Sequence, residues 1–164
     1  MNKSLTKKLL LIFTMVGLLL GLTACGANPK NFTCRDLTIT LTDDFIEKEM
    51  TGFDAYYNSE RVLFSAVEET EEELQYAGYE IANLKGYCLE ILNQNGVSVD
   101  ALSQRGDYYY FTHTAVKNGA KYTYVHCMFE GHNSYWICEF VCKTKDYKDL
   151  EDQILKWADS ITIK

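Results

Sequence analysis

The sequence predicts an α+β domain: one antiparallel β-sheet of about six strands, flanked by helices on both faces. Three observations lead there. Between Tyr108 and Lys143 three strand-like runs follow one another with tight-turn signals between them. Apolar residues recur near helical spacing from Leu74 to Leu92 and again from Leu150 to Trp157. Both alternating sets of the strand-like runs carry large apolar side chains, which a sheet with one wet face does not do.

The elements follow in order. Leu37-Thr38-Ile39-Thr40-Leu41 alternates and is rich in β-branched residues, a strand that ends at Thr42-Asp43-Asp44. Gly52 to Asn58 and Arg61 to Val67 flank Ser59-Glu60, giving a second and third strand joined by a tight turn. The acidic run Glu68, Glu69, Glu71, Glu72, Glu73 leads into one central helix carrying Leu74, Ile81, Leu84, Cys88, Ile91 and Leu92, stopped by Asn95-Gly96. Calcium loops space their ligands with turn residues and glycine, and this run lacks that spacing; acids before a helix suit the positive end of its dipole. A closing helix spans about Asp146 to Asp159 and buries Leu150, Ile154 and Trp157.

Tyr108–Val116, Lys121–Phe129 and Tyr135–Lys143 are the three meander strands. Asn118-Gly119 is a strong two-residue hairpin signal, and His132-Asn133 is the centre of the second turn. Two-residue loops at both places fix a register. One face then stacks Tyr108, Phe129 and Trp136; Tyr110, Cys127 and Cys138; Thr112, Val125 and Phe140; Thr114, Thr123 and Cys142. The other stacks Tyr109, Met128 and Ile137; Phe111, His126 and Glu139; His113, Tyr124 and Val141; Ala115, Tyr122 and Lys143. A slip of one residue exchanges the faces.

The first residues have a different character. Lys3, Lys7 and Lys8 precede an apolar run from Leu9 to Leu20, the layout of an export signal and too short for a comfortable membrane span. The run ends in Leu22-Thr23-Ala24-Cys25, which resembles the lipobox of bacterial lipoproteins. That resemblance implies cleavage before Cys25, lipid on its thiol, and a chain held on the extracytoplasmic side of a cell membrane without a transmembrane helix. The expected organisation is a removed signal peptide over 1–24, a lipidated cysteine and short tether over 25–31, and a single α+β domain over 32–164.

Of 164 residues, 16 are Lys or Arg and 23 are Asp or Glu, a formal net charge of −7; residues 1–24 hold three of the basic residues and none of the acids. The mature chain is therefore more acidic still, which disfavours nucleic acid and anionic lipid surfaces as direct partners. Beyond Cys25 the cysteines are Cys34, Cys88, Cys127, Cys138 and Cys142, an odd number that excludes full pairing within a monomer. Cys127 opposite Cys138 leaves three readings: a cross-strand disulfide, two buried thiols, or half of a metal site.

No phosphate-cradling glycine loop, zincin motif, nucleophile elbow or dinucleotide fingerprint occurs, and no cofactor is expected. The remaining polar constellation is His126 beside Glu139, with His113 and Tyr124 one row away. A carboxylate next to an imidazole can orient it and raise its pKa, as acid/base or metal chemistry needs; the plainer reading is a half-covered face whose polar members pair with each other. The clustered tyrosines fit sheet packing or an interface.

With the elements in this order, an opening strand closed by Asp43-Asp44-Phe45, a hairpin, a helix, a meander around Tyr135-Trp136-Ile137-Cys138-Glu139-Phe140 and a closing helix ending Lys156-Trp157-Ala158-Asp159-Ser160-Ile161, the chain resembles small PsbP-like or Mog-like domains. The family often has a proline after the opening strand; here Thr42-Asp43 stands there. The resemblance implies an α/β/α sandwich acting as a binding or assembly module; the lipid address, the negative charge and the missing catalytic motifs point to an envelope protein or small molecule as its ligand. The alternative is an envelope hydrolase or metal-dependent enzyme using the His/Glu cluster.

Overall fold

The computed structural model describes residues 27–164; the signal-like stretch and Cys25 lie outside the described residues. Ten strands and three α-helices follow in chain order: β1 (Pro29–Cys34), β2 (Leu37–Thr42), β3 (Ile46–Glu47), β4 (Ala55–Asn58), β5 (Val62–Thr70), α1 (Glu71–Tyr76), α2 (Leu84–Gln94), β6 (Ser103–Arg105), β7 (Tyr108–Lys117), β8 (Ala120–Glu130), β9 (Ser134–Lys143), α3 (Thr144–Asp159) and β10 (Thr162–Ile163). Seven strands form one antiparallel sheet in the order β3-β4-β5-β9-β8-β7-β6, and β1-β2-β10 form a second, smaller one.

The meander follows from its two turns. Asn118 and Gly119 both have positive φ, 51° and 75°, as a type I′ turn requires. Lys117 pairs with Ala120 across it, and the rest of the β7–β8 register follows in step. At the second turn Gly131 N–H donates to the Ser134 carbonyl at 2.8 Å, leaving His132 and Asn133 as the loop. Every cross-strand stack expected from two-residue loops is present, from Phe129 opposite Trp136 to Tyr122 opposite Lys143. Gly131 is tight: a Cβ there would meet Ser134 Oγ at 2.5 Å and the Trp136 ring at 3.3 Å.

The inner face of the large sheet carries Phe64, Cys127, Phe129, Trp136, Cys138 and Phe140 and is covered by α3 together with the small sheet, which contributes Leu37, Ile39 and Leu41. The closing helix buries Leu150, Ile154 and Trp157 as expected, with Ala158 added. Burying side chains of this size stabilises the fold by about 1.5–3 kcal/mol each. The outer face packs Phe111, Met128 and Tyr135 against Leu74 of α1 and Tyr87, Cys88 and Ile91 of α2.

Four expectations are corrected. The central helix is two: Glu68 and Glu69 extend β5 opposite Trp136 and Tyr135, α1 begins only at Glu71, and the chain breaks at Gly78, whose φ is +89°. Ile81, which fits the helical period, packs on the core from the loop between the helices. Thr70 caps α1 in a reciprocal box, its Oγ1 accepting from Glu73 N–H at 3.2 Å and its N–H donating to Glu73 Oε2 at 2.9 Å. The strand expected from Gly52 starts at Ala55, because Gly52 lies in a turn at φ +91°. The tether expected through Asn31 ends sooner, since Pro29, Lys30 and Asn31 pair with Thr42, Leu41 and Thr40 and Asn28 is clamped by Asp43. The fourth concerns only where the opening strand lies: the expected antiparallel sheet is present with seven strands, and β2 pairs outside it with β1 and β10 in a further layer, burying Leu37, Ile39 and Leu41 toward the core while Thr38 and Thr40 alternate outward.

Candidate functional site

Three adjacent strands bring the polar cluster together. Phe111, His126, Glu139 and Ser65 form one row across β7, β8, β9 and β5; His113, Tyr124, Val141 and Leu63 form the next. His126 Nε2 is 3.0 Å from His113 Nδ1, one nitrogen donating to the other. On its other side His126 Nδ1 is 3.2 Å from Glu139 Oε2, close enough for an ion pair but out of line for a hydrogen bond. The rings stack in a ladder: Phe111 on His126 at 4.6 Å, His126 on His113 at 5.0 Å and His113 on Tyr124 at 4.9 Å, all within 19° of parallel.

Burial sets the protonation. His126 is 5% exposed, and loss of water, with His113 beside it, pulls its pKa down to about 3. The same loss of water raises Glu139 to about 7 and lowers His113. The pair is therefore held mainly as a neutral imidazole facing a carboxylic acid at mildly acidic pH, the arrangement with least charge to bury. Tyr124 is raised by burial and by Glu139.

The cluster is thus one contact group, with His126 buried and His113, Tyr124 and Glu139 partly exposed around it. The larger surface cleft, about 870 Å³, is bounded by α1, the loop after it and the β8–β9 turn, with Glu71, Tyr79, Ile81 and His132 among its lining. A smaller one of about 480 Å³ is lined by Glu47 to Thr51, Phe53, Asp54 and Tyr56. Neither includes His113, His126 or Glu139. Among the described residues no three His, Cys, Asp or Glu side chains are arranged to hold a metal ion. Cys127 and Cys138 stand opposite each other on the inner face as free, buried thiols, both raised by loss of water.

Sequence reasoning did not place β4 and β5 beside β9, since no turn links them. As a result it missed that Tyr56, Leu63 and Ser65 continue the same surface. Tyr56, Leu63, His113, Tyr124 and Val141 are half-buried and belong to neither core cluster. It also missed the buried Tyr87 hydroxyl donating to Glu69, and Arg105, whose guanidinium grips Asp159 with two bonds of 2.6 Å while Tyr108 donates to the same carboxylate at 3.0 Å. None of these long-range pairs leaves a local signature.

No family model matches the chain, and no curated protein matches it. Solved structures do. A crystal structure from Bacteroides thetaiotaomicron superposes with a TM-score of 0.58 at 14% identity, over 82% of this chain and 48% of that one, so this chain spans about half of that protein's length. The Ran-binding protein Mog1p of Saccharomyces cerevisiae superposes at 0.55 with 9% identity, over 84% of this chain and 96% of Mog1p. The cyanobacterial PsbP protein of Synechocystis superposes at 0.48 with 8% identity, over 88% and 99%. The fold is the Mog-like α/β/α sandwich. Among the described residues no helix is long and apolar enough to cross a membrane.

Proposed function

We propose that this chain is a non-enzymatic binding or assembly module, tethered by lipid on Cys25 at the extracytoplasmic side of a membrane, that takes an envelope partner on the open half of its outer sheet face. One observation carries the binding reading: Tyr56, Leu63, His113, Tyr124 and Val141 lie on adjacent strands of the outer face, are partly exposed, and belong to neither core cluster. Aromatic groups of this kind supply contact area at low entropic cost, and loss of water favours the neutral form of His113 among them and of the buried His126 beside it, so little charge is desolvated. The tether reading rests on Leu22-Thr23-Ala24-Cys25, whose cysteine an ordinary secretory signal does not require. Two acyl chains on one residue give stable anchoring where one does not.

The contact of His113, His126 and Glu139 is what an acid/base enzyme would use, and it is the observation that favours the alternative. Against it stand the burial of His126 and the position of the three groups outside both clefts described above. Capture from envelope extracts separates the readings. A partner held by the parent chain and by Tyr76→Ser, whose tyrosine is 95% exposed on α1, is expected to be lost with Tyr56→Ser and Tyr124→Ser. An unchanged partner set in both variants removes the proposal. For the anchor, Cys25→Ser is expected to abolish incorporation of labelled palmitate; labelling that persists would refute the tether.

A further inference from the structure

The two ends of the seven-stranded sheet are unlike. β3, at one edge, is two residues long, and short edge strands are one of the usual guards against unwanted pairing. At the other edge β6 covers only Tyr108 to Tyr110 of β7, so Phe111 to Lys117 has no partner on its outer side among the described residues. That stretch, Phe-Thr-His-Thr-Ala-Val-Lys, contains no proline and no charge before its last residue, and Val116 is 70% exposed.

The direction of the unpaired groups follows from the hairpin. A two-residue turn makes Lys117 and Ala120 a hydrogen-bonded closing pair, and hydrogen-bonded pairs alternate along an antiparallel ladder. Lys117, Ala115, His113 and Phe111 therefore bond inward to β8. Thr112, Thr114 and Val116 turn their N–H and C=O groups outward, in the same set that Tyr108 and Tyr110 present to β6.

We propose that this edge pairs antiparallel with the same edge of a second copy of the chain, about a two-fold axis at Thr114. The open stretch is closed at one end by β6 and at the other by the Asn118-Gly119 turn, so only one self-pairing uses all of it. In that register Thr114 faces the second copy's Thr114, and Thr112 faces the second copy's Val116. Both are hydrogen-bonded positions, so each outward group finds a partner, and threonine opposite threonine or valine is a favourable cross-strand pair. Charge agrees. Antiparallel pairing sets the exposed Lys117 of one copy opposite Phe111 of the other, next to the Ser103 end of β6, three residues after the exposed Asp100, while Arg105 is already neutralised by Asp159. The two sheets become one, and the open outer faces with His113 and Tyr124 become contiguous across the axis.

The test uses the full-length chain in native membranes. After mild oxidation Thr114→Cys is expected to give a disulfide-linked species of twice the chain mass. Thr112→Cys alone and Val116→Cys alone stay single, whereas the two co-expressed cross-link to each other. Adding Thr114→Pro to the co-expressed pair is expected to abolish their cross-link; its missing N–H faces away from the monomer's own ladder, so the fold survives. The parent chain, with its native cysteines, stays single throughout. Thr114→Cys remaining single, or all three single variants cross-linking alike as in random collision, would overturn the pairing, as would a cross-link that Thr114→Pro leaves intact.

Discussion

On the inner face of the large sheet, Trp136, Cys138 and Phe140 are sealed with 0% exposure, while on the outer face Val141 of the same strand and Tyr124 opposite it on β8 stay partly exposed. Geometry accounts for the difference. Seven strands about 4.8 Å apart span roughly 29 Å. The inner cover is a 16-residue helix plus a whole second sheet. The outer cover is a helix of 6 residues and one of 11, the latter only about 16 Å long. The inner face is covered throughout, and the outer keeps part of its area partly exposed.

Trp157→Ala, on the closing helix, strikes the sealed face and has the largest expected effect: a loss of about 3–5 kcal/mol in urea-unfolding free energy, since the cavity under Phe45 and Phe140 cannot close. A loss below about 1 kcal/mol would show that the inner face is not what holds the fold.

Next comes Glu139→Gln. Glu139 is raised in the folded state from 4.5 to about 7, so its contribution is fully present below pH 4.5 and gone above about pH 7. His126 is lowered from 6.5 to about 3, so its contribution is present above pH 6.5 and is lost as pH falls toward 3. The two slopes oppose each other between about pH 4.5 and 6.5. Removing the carboxyl is expected to leave only the rise with pH, with Glu139→Gln gaining on the parent chain by on the order of 1–3 kcal/mol between pH 4.5 and 7.5. Unfolding midpoints that move in parallel for both proteins would show that Glu139 ionises normally.

A smaller effect is expected from Thr70→Ala, which removes the cap of α1 and weakens the outer cover by about 1 kcal/mol, with faster amide exchange confined to Glu71–Tyr76. Smallest is Val141→Thr on the open surface, within about 0.5 kcal/mol of the parent chain. A loss as large as that of Trp157→Ala would mean that the outer face is as closed as the inner.

What was legible in the sequence was local. Asn118-Gly119 and His132-Asn133 dictate two turns, the turns dictate register, and register places His113, Tyr124, His126 and Glu139 together before any tertiary contact is known. Leu150, Ile154 and Trp157 likewise mark their helix by spacing alone. β1 was not legible because Pro29-Lys30-Asn31 is polar, and what holds it, the β2 ladder and the Thr40 hydroxyl donating to Asn31 Oδ1 at 2.8 Å, leaves no periodic pattern in the sequence. The break between α1 and α2 was hidden because Ile81 keeps the helical period from a loop.

The corner at Gly131 has a further consequence. A methyl group added there would meet Ser134 Oγ at 2.5 Å and the Trp136 ring at 3.3 Å. Gly131→Ala therefore fits only if the Ser134 side chain turns away and the indole gives by a few tenths of an ångström, so the corner ties the β8–β9 turn to the ring that the inner core is packed around.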